Sequence, residues 1–227
     1  MKKILILTLL CSTLAFGQTT NNSTSKPVIT NTDNLMLIAR PAQLGDNISG
    51  TPYVKETFAP AKVNDYRKTH LIRFNAAQDE MEVKINGEDI SILSKLEQYH
   101  VKLVDGTGLE YMNLNYNSNE TIKHGYFIPI KTETEDVKLF RKQIVRFTVG
   151  KAAQTSLEQD VPSKFTSQND RFFLQLNQTT ALTEIPFSKK LFLKEFNKKD
   201  VKSFLKKEKL DIKKEEDLIK VIEFYFN

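Results

Sequence analysis

Residues 70–85 read HLIRFNAAQDEMEVKI, and their alternation decides the fold. His70, Ile72, Phe74 and Ala76 point one way; Leu71, Arg73 and Asn75 point the other. Met81, Val83 and Ile85 alternate with Glu80, Glu82 and Lys84. Side chains on a strand change face at every residue, so this is the pattern of a half-buried antiparallel pair. An even-length turn around Ala77 and Gln78 sets Phe74 opposite Met81, Ile72 opposite Val83 and Arg73 opposite Glu82. An odd-length turn would place apolar residues opposite charged ones, and a one-residue slip would move a whole apolar set into water. The Arg73–Glu82 pair is expected on the wet face, where such pairs contribute about 0–1 kcal/mol.

Upstream, Leu35 to Ala39 and Phe58 to Val63 read as strands, with a turn at Gly50-Thr51-Pro52. Downstream, Asn86-Gly87 predicts a type I′ turn, whose two central residues need positive φ, returning the chain into Ile90 to Leu93. Tyr99, Val101 and Leu103 form the next face. Asp105-Gly106-Thr107-Gly108 is a turn into Leu109 to Tyr116, followed by an Asn-rich loop over Asn113 to Asn119. Tyr126, Ile128 and Ile130 mark a strand that Pro129 demotes to an edge or a bulge. Val137 to Val149 reads as one long strand, Lys151 to Ser167 as a looser crossing. Arg171 to Leu176 and Leu182 to Ile185 form a last hairpin. Short spacing between strands predicts a consecutive antiparallel meander.

After Pro186 the pattern changes. Ser188 is placed to cap a helix from Lys189 to Phe196. A second helix carries Val201, Phe204 and Leu205. A third, from about Lys214 to Phe226, carries Leu218, Ile219, Ile222, Tyr225 and Phe226 at helical spacing, with Glu215, Glu216 and Asp217 at its positive end. The expected fold is therefore mainly β (α+β). It is an antiparallel meander sheet over 35–185, either a sandwich or a partly closed barrel. Two or three short C-terminal helices over 186–227 pack on it.

Residues 1–17 read as a signal peptide: Lys2-Lys3, an apolar run from Ile4 to Phe16, and Ala15-Phe16-Gly17 as the cleavage site. Residues 18–34 are rich in Thr, Asn and Ser and read as a disordered leader. Of 227 residues, 210 would follow cleavage after Gly17, enough for one sizeable domain. The chain carries net +5, or +3 without Lys2 and Lys3, a weak basic excess that compels no nucleic-acid partner. The only cysteine, Cys11, lies in the signal. The mature chain then has no disulfide, thiol nucleophile or thiolate metal ligand. Lipidation at Cys11 would normally follow a small residue, and Leu10 precedes it. No later stretch reaches the length of a transmembrane segment. The expected location is periplasmic or outer-membrane-associated.

No catalytic constellation stands out. His70, His100 and His124 are scattered, with no metal-binding spacing. Asp105-Gly106-Thr107-Gly108 lacks the following helix and Lys-Ser/Thr of a phosphate loop. Asp79, Glu80 and Glu82 could be read as a carboxylate site, and a hydrolase using Asp79 or Glu82 is the enzymatic alternative, but the strand pattern points them to open solvent. The C-terminal segment holds 12 Lys and eight acids over 187–227, a solvated amphipathic face or a contact for an anionic envelope surface. Aromatic residues on the strands either fill the core or, in a barrel or half-barrel, line a cavity for a lipid or other apolar ligand. Tyr99, Tyr111, Tyr126, Phe140 and Phe147 are the candidate lining. No cofactor or metal is implied.

The stretches GTPYVKETFAPAKV (50–63) and LIRFNAAQDEMEV (71–83), the signal ending FGQ and the lysine-rich ending KKLFLKEF…EEDLIKVIEFYFN (189–227) carry a resemblance. The chain resembles exported, periplasmic β-rich proteins of flavobacteria and related Bacteroidota. That resemblance implies location and layout, with no catalytic residues to carry over. The expected role is a non-enzymatic envelope protein that binds a protein partner or surface, with an apolar-ligand carrier as the alternative.

Overall fold

The computed structural model describes residues 29–32 (backbone), 35–39, 48–87, 89–155, 157–177, 179–197 and 199–227. The expected signal peptide and most of the expected leader lie outside these residues. Ile29–Thr32 (β1), inside the stretch read as leader, pairs antiparallel with Leu35–Ala39 (β2).

The hairpin that opens the sequence reading is formed by Thr69–Asn75 (β5) and Glu80–Lys84 (β6). Its register is Ile72↔Val83, Arg73↔Glu82 and Phe74↔Met81, as the alternation predicts. Ile72, Phe74, Met81 and Val83 are all buried in one cluster. Ala59–Val63 (β4) pairs with β5, and Ile90–Leu93 (β7) pairs with β6 and with β2. His100–Leu103 (β8), Glu110–Ser118 (β9), Thr121–Ile130 (β10) and Val137–Lys142 (β11) form a second meander, joined to the first where β4 pairs with β8. Arg171–Leu176 (β14) then pairs with β11 and with Thr183–Glu184 (β15). The twelve-stranded order is β1-β2-β7-β6-β5-β4-β8-β9-β10-β11-β14-β15, without Ile48–Ser49 (β3) and two further strands introduced below. The single consecutive meander is thus replaced by two meanders, because the chain crosses to the far side of β4 after β7.

The sheet is rolled but open. Between β5 and β10 lie three strands, so a flat sheet would separate them by about 19 Å at ~4.8 Å per strand. Yet the rings of Phe74 and Tyr126 are 6.1 Å apart, and those of Phe74 and Tyr111 5.1 Å. The Tyr99 hydroxyl also accepts the Met36 backbone N–H at 2.8 Å, across the same roll. Apolar residues from both meanders meet inside it. Strands β11 and β14 are instead covered on both faces. Val137, Leu139, Phe172 and Leu174 face the helices, while Phe140 and Phe173 pack with Phe127 and Leu182.

Lys189–Glu195 (α1), Val201–Lys207 (α2) and Glu215–Phe226 (α3) follow. Ser188 precedes α1 without a side-chain cap bond; Asp200 caps α2 through the Ser203 N–H at 3.0 Å. Arg141 fixes the helices to the sheet, with Glu215 at 3.0 Å and Asp170 at 3.5 Å.

Three local expectations are corrected. The stretch Val137 to Val149 is not one strand. It divides at Gln143, which accepts the Tyr111 hydroxyl (2.9 Å), and Val145 donates its N–H to Ala76 O (3.3 Å). Val145–Thr148 (β12) then joins Ser163–Ser167 (β13) and β3 in a separate three-stranded sheet, so the crossing segment ends in a strand. The Asn-rich stretch is not a loop. β9 runs to Ser118, because Asn113 is buried and donates to the Lys95 and Glu97 carbonyls; the turn is at Asn119 and Glu120, with φ of 48° and 63°. At Asn86-Gly87 the turn closes from Asp89 N–H to Asn86 O, and Gly87 takes positive φ while Asn86 does not. Pro129 lies past the last β9–β10 pair, Phe127↔Met112, where β10 is an edge on that side and a missing N–H is tolerated.

Candidate functional site

The most unusual charge is Lys142, at the end of β11. Its side chain is nearly buried, and its ammonium donates to Asp79 Oδ2 at 2.7 Å. It also lies 4.6 Å from the Phe127 ring and 5.2 Å from the Tyr116 ring, a cation–π arrangement. Asp79 ends the β5–β6 turn in the left-handed region (φ 57°), which aims its carboxylate across the roll. There it also accepts the Tyr126 N–H at 3.1 Å and approaches Lys95 at 3.7 Å. Gly125 makes the room: a Cβ there would stand 2.6 Å from both Asp79 Oδ2 and Lys142 Nζ. Burial pushes the Lys142 ammonium below the ordinary lysine range, although Asp79 pulls the other way. A lysine acts as a nucleophile through a neutral, free amine. Here the amine is engaged with a carboxylate, and the pair pins the β5–β6 turn to β10 and β11.

The second charged node corrects the expected wet pair. Glu82 is 0% exposed, because the segment from Tyr53 to Phe58 folds over the outer face of β5 and β6. Arg73 donates to Glu82 Oε2 (2.8 Å), to the Tyr53 hydroxyl (2.7 Å) and to the Glu56 carbonyl (3.0 Å). Its guanidinium sits 3.8 Å from the centre of the Tyr53 ring and 4.3 Å from that of Phe58. Asn75 donates to the other Glu82 oxygen at 3.1 Å. Asp79 and Glu82 therefore do not face open solvent, and each has its own cation.

Of the candidate apolar lining, Tyr99, Tyr111 and Tyr126 come together inside the roll. Phe140 lies on the other face of the sheet, with Phe127 and Phe173. Phe147 packs on Phe165 at 4.9 Å in the small sheet. The five do not form one wall. Burial raises the pKa of Tyr99, Tyr111 and Tyr126. The Tyr126 hydroxyl and Asn113 Oδ1 have no hydrogen-bond partner among the described residues. The histidines remain apart: His70 is buried, His124 is exposed, and His100 pairs with Glu110 at 2.9 Å. Among the described residues, no group of three or more His, Cys, Asp or Glu is placed to hold a metal ion, and no helix is long and apolar enough to cross a membrane.

The strands β12 and β13, with the segment 149–162 between them, form an arm that the sequence reading missed. Its backbone is held by paired bonds between Lys151 and Val161 (2.8 and 2.9 Å). Its apolar side chains are in water: Leu157 is 95% exposed, Val149 74% and Val161 60%. Two glycines set its base. A Cβ on Gly150 would collide with the Val161 carbonyl, and one on Gly50 with the Phe165 carbonyl. The signal in the sequence was the pair of valines flanking a polar loop, which reads equally well as a buried face.

Searches of protein-family models, curated proteins and solved structures gave no match to this chain.

Proposed function

We propose that the protein is an exported, non-catalytic envelope protein that binds a protein partner through the β12–β13 arm. The observation that carries this reading is the exposed apolar set Val149, Leu157 and Val161 on a hydrogen-bonded hairpin. Exposed apolar residues that cluster on one element, rather than scatter singly, mark interaction surfaces. The arm is anchored at its base: Phe147 packs on Phe165, and β3 pairs with β13. It can present those side chains at little ordering cost. The two buried charge nodes support binding over turnover, since their charged groups are bonded to one another. Export is supported by the Lys2-Lys3, apolar-run and Ala15-Phe16-Gly17 pattern.

The test is site-specific photo-crosslinking in the native envelope, with a photoreactive residue at 157 and, as control, at exposed Leu96. One defined adduct from 157, absent from 96 and lost in Val149→Ser/Val161→Ser, is expected. Equal adducts from both positions, no adduct, or an adduct only with a second copy of the chain would overturn the reading.

A further inference from the structure

Away from the arm, Phe187 and the link between α2 and α3 line a half-open pocket of about 290 Å³. Its floor is carbon: buried Leu205 and Ile212, and half-buried Leu210 and Phe187. Leu210 is set there by a tight end to α2. Lys209 takes φ 54°, and the Leu210 N–H closes back on the Leu205 carbonyl at 3.0 Å. The rim is charged: Lys189, Lys213 and Asp211. Asp211 is used locally, accepting the Lys213 N–H at 3.1 Å, while its own N–H donates to Asp217 at 3.0 Å. Neither the Lys189 nor the Lys213 ammonium has a carboxylate within ion-pair distance among the described residues. Lys213 instead lies 4.9 Å from the Phe187 ring, with the Arg171 guanidinium 5.0 Å from the same ring.

We propose that this pocket binds a medium-chain fatty carboxylate. The alkyl chain lies on Phe187, Leu205, Leu210 and Ile212, and the carboxylate sits between Lys189 and Lys213. Three features select this occupant. Four of the seven lining residues are apolar, which favours a ligand with an alkyl chain over a wholly polar one. The rim offers two ammonium groups to one acid, which complements a single negative charge. The volume equals about ten waters at ~30 Å³ each, which matches the roughly ten non-hydrogen atoms of octanoate. This inference stands apart from the arm, and either can fail without the other.

The test is calorimetric titration of the full mature chain with octanoate, hexanoate, octanol and octyl phosphate, beside methyl NMR of the same samples. One octanoate per chain is expected, with shifts confined to the methyls of Leu205, Leu210 and Ile212. Hexanoate, two methylenes shorter, should bind about 15-fold more weakly, from ~0.8 kcal/mol per methylene. Octanol, and octanoate with Lys189→Gln/Lys213→Gln, should each bind at least tenfold more weakly. These lysines are exposed, so the variant keeps its fold, and unchanged methyl spectra verify that. Octanol binding as well as octanoate, tighter binding of octyl phosphate, no binding at millimolar octanoate, or shifts mapping to the rolled interior would each overturn the assignment.

Discussion

Gly125→Ala is the substitution that most directly tests how the roll is held. On an unstrained strand, replacing glycine by alanine stabilises by roughly 0.5–1 kcal/mol. Here the new methyl would stand 2.6 Å from Asp79 Oδ2 and Lys142 Nζ and 3.1 Å from Tyr116 Cε1. Ordinary contact requires the first two atoms to retreat by close to 1 Å. Their 2.7 Å hydrogen bond cannot survive that, because Asp79 is also tied to the Tyr126 N–H and Lys142 is boxed by two rings. Overpacking costs about 1–3 kcal/mol and a charge-assisted bond contributes about 1.5–3 kcal/mol, so with the glycine gain subtracted the net loss is about 2–5 kcal/mol. For a chain of this size, at about 2–4 °C per kcal/mol, that lowers Tm by about 4–20 °C. Urea unfolding should show a lower midpoint at unchanged slope. In a Lys142→Met background the same substitution should cost at least 1 kcal/mol less, since the methyl no longer meets an ammonium. Stability of Gly125→Ala equal to or above wild type, or simple additivity with Lys142→Met, would refute the account of the node.

Arg73→Leu should destabilise by about 3 kcal/mol or more, because it removes the arginine from a fully buried carboxylate; Arg73→Leu/Glu82→Leu should recover much of that loss in urea unfolding. Stability should fall as pH rises above about 10. The unfolded chain's tyrosines ionise there, while burial keeps Tyr99, Tyr111, Tyr116 and Tyr126 protonated in the fold, so the folded state binds more protons and unfolding gains from each further pH unit. Absorbance titration at 295 nm should show these groups ionising only as the chain unfolds, with one late step lost in Tyr126→Phe. Gly150→Ala should cost about 1–3 kcal/mol and speed proteolysis within 151–162, since its methyl collides with backbone of the paired strand. Asp200→Ala should cost about 1 kcal/mol by removing the cap of α2.

The sequence made the β5–β6 hairpin legible to the residue, because alternation is local and a slip exposes a whole apolar set. The third helix was equally legible: Leu218, Ile222 and Tyr225 keep helical spacing and the acids cluster at the proper end. What failed depended on distant chain. Glu82 looked solvated because its own strand alternates cleanly; the cover comes from Tyr53 to Phe58, about 25 residues earlier. Nothing in the sequence singles out Lys142, because β11 is buried on both faces, which erases the contrast that period-two reading needs. Phe147 and Val149 looked like core because they continue the face of Val145, but the chain changes sheets between β11 and β12.

These misreadings bear on function. Charges expected in water, Arg73, Glu82 and Asp79, are instead bonded within the fold, Arg73 to Glu82 and Asp79 to Lys142, each pair fastening one part of the roll to another. Val149, which continues the face of Val145, is in water, as are Leu157 and Val161 on the arm. The buried carboxylates and their cations are bonded to one another, whereas an exposed valine or leucine on an anchored hairpin has apolar surface still to cover. The loss of free energy from leaving Leu157 and its neighbours in water, of the order of 1.5–3 kcal/mol for each side chain of this kind, is recovered only when something covers them. The nodes thus hold the scaffold, and the exposed arm is what supports the proposal that recognition lies there.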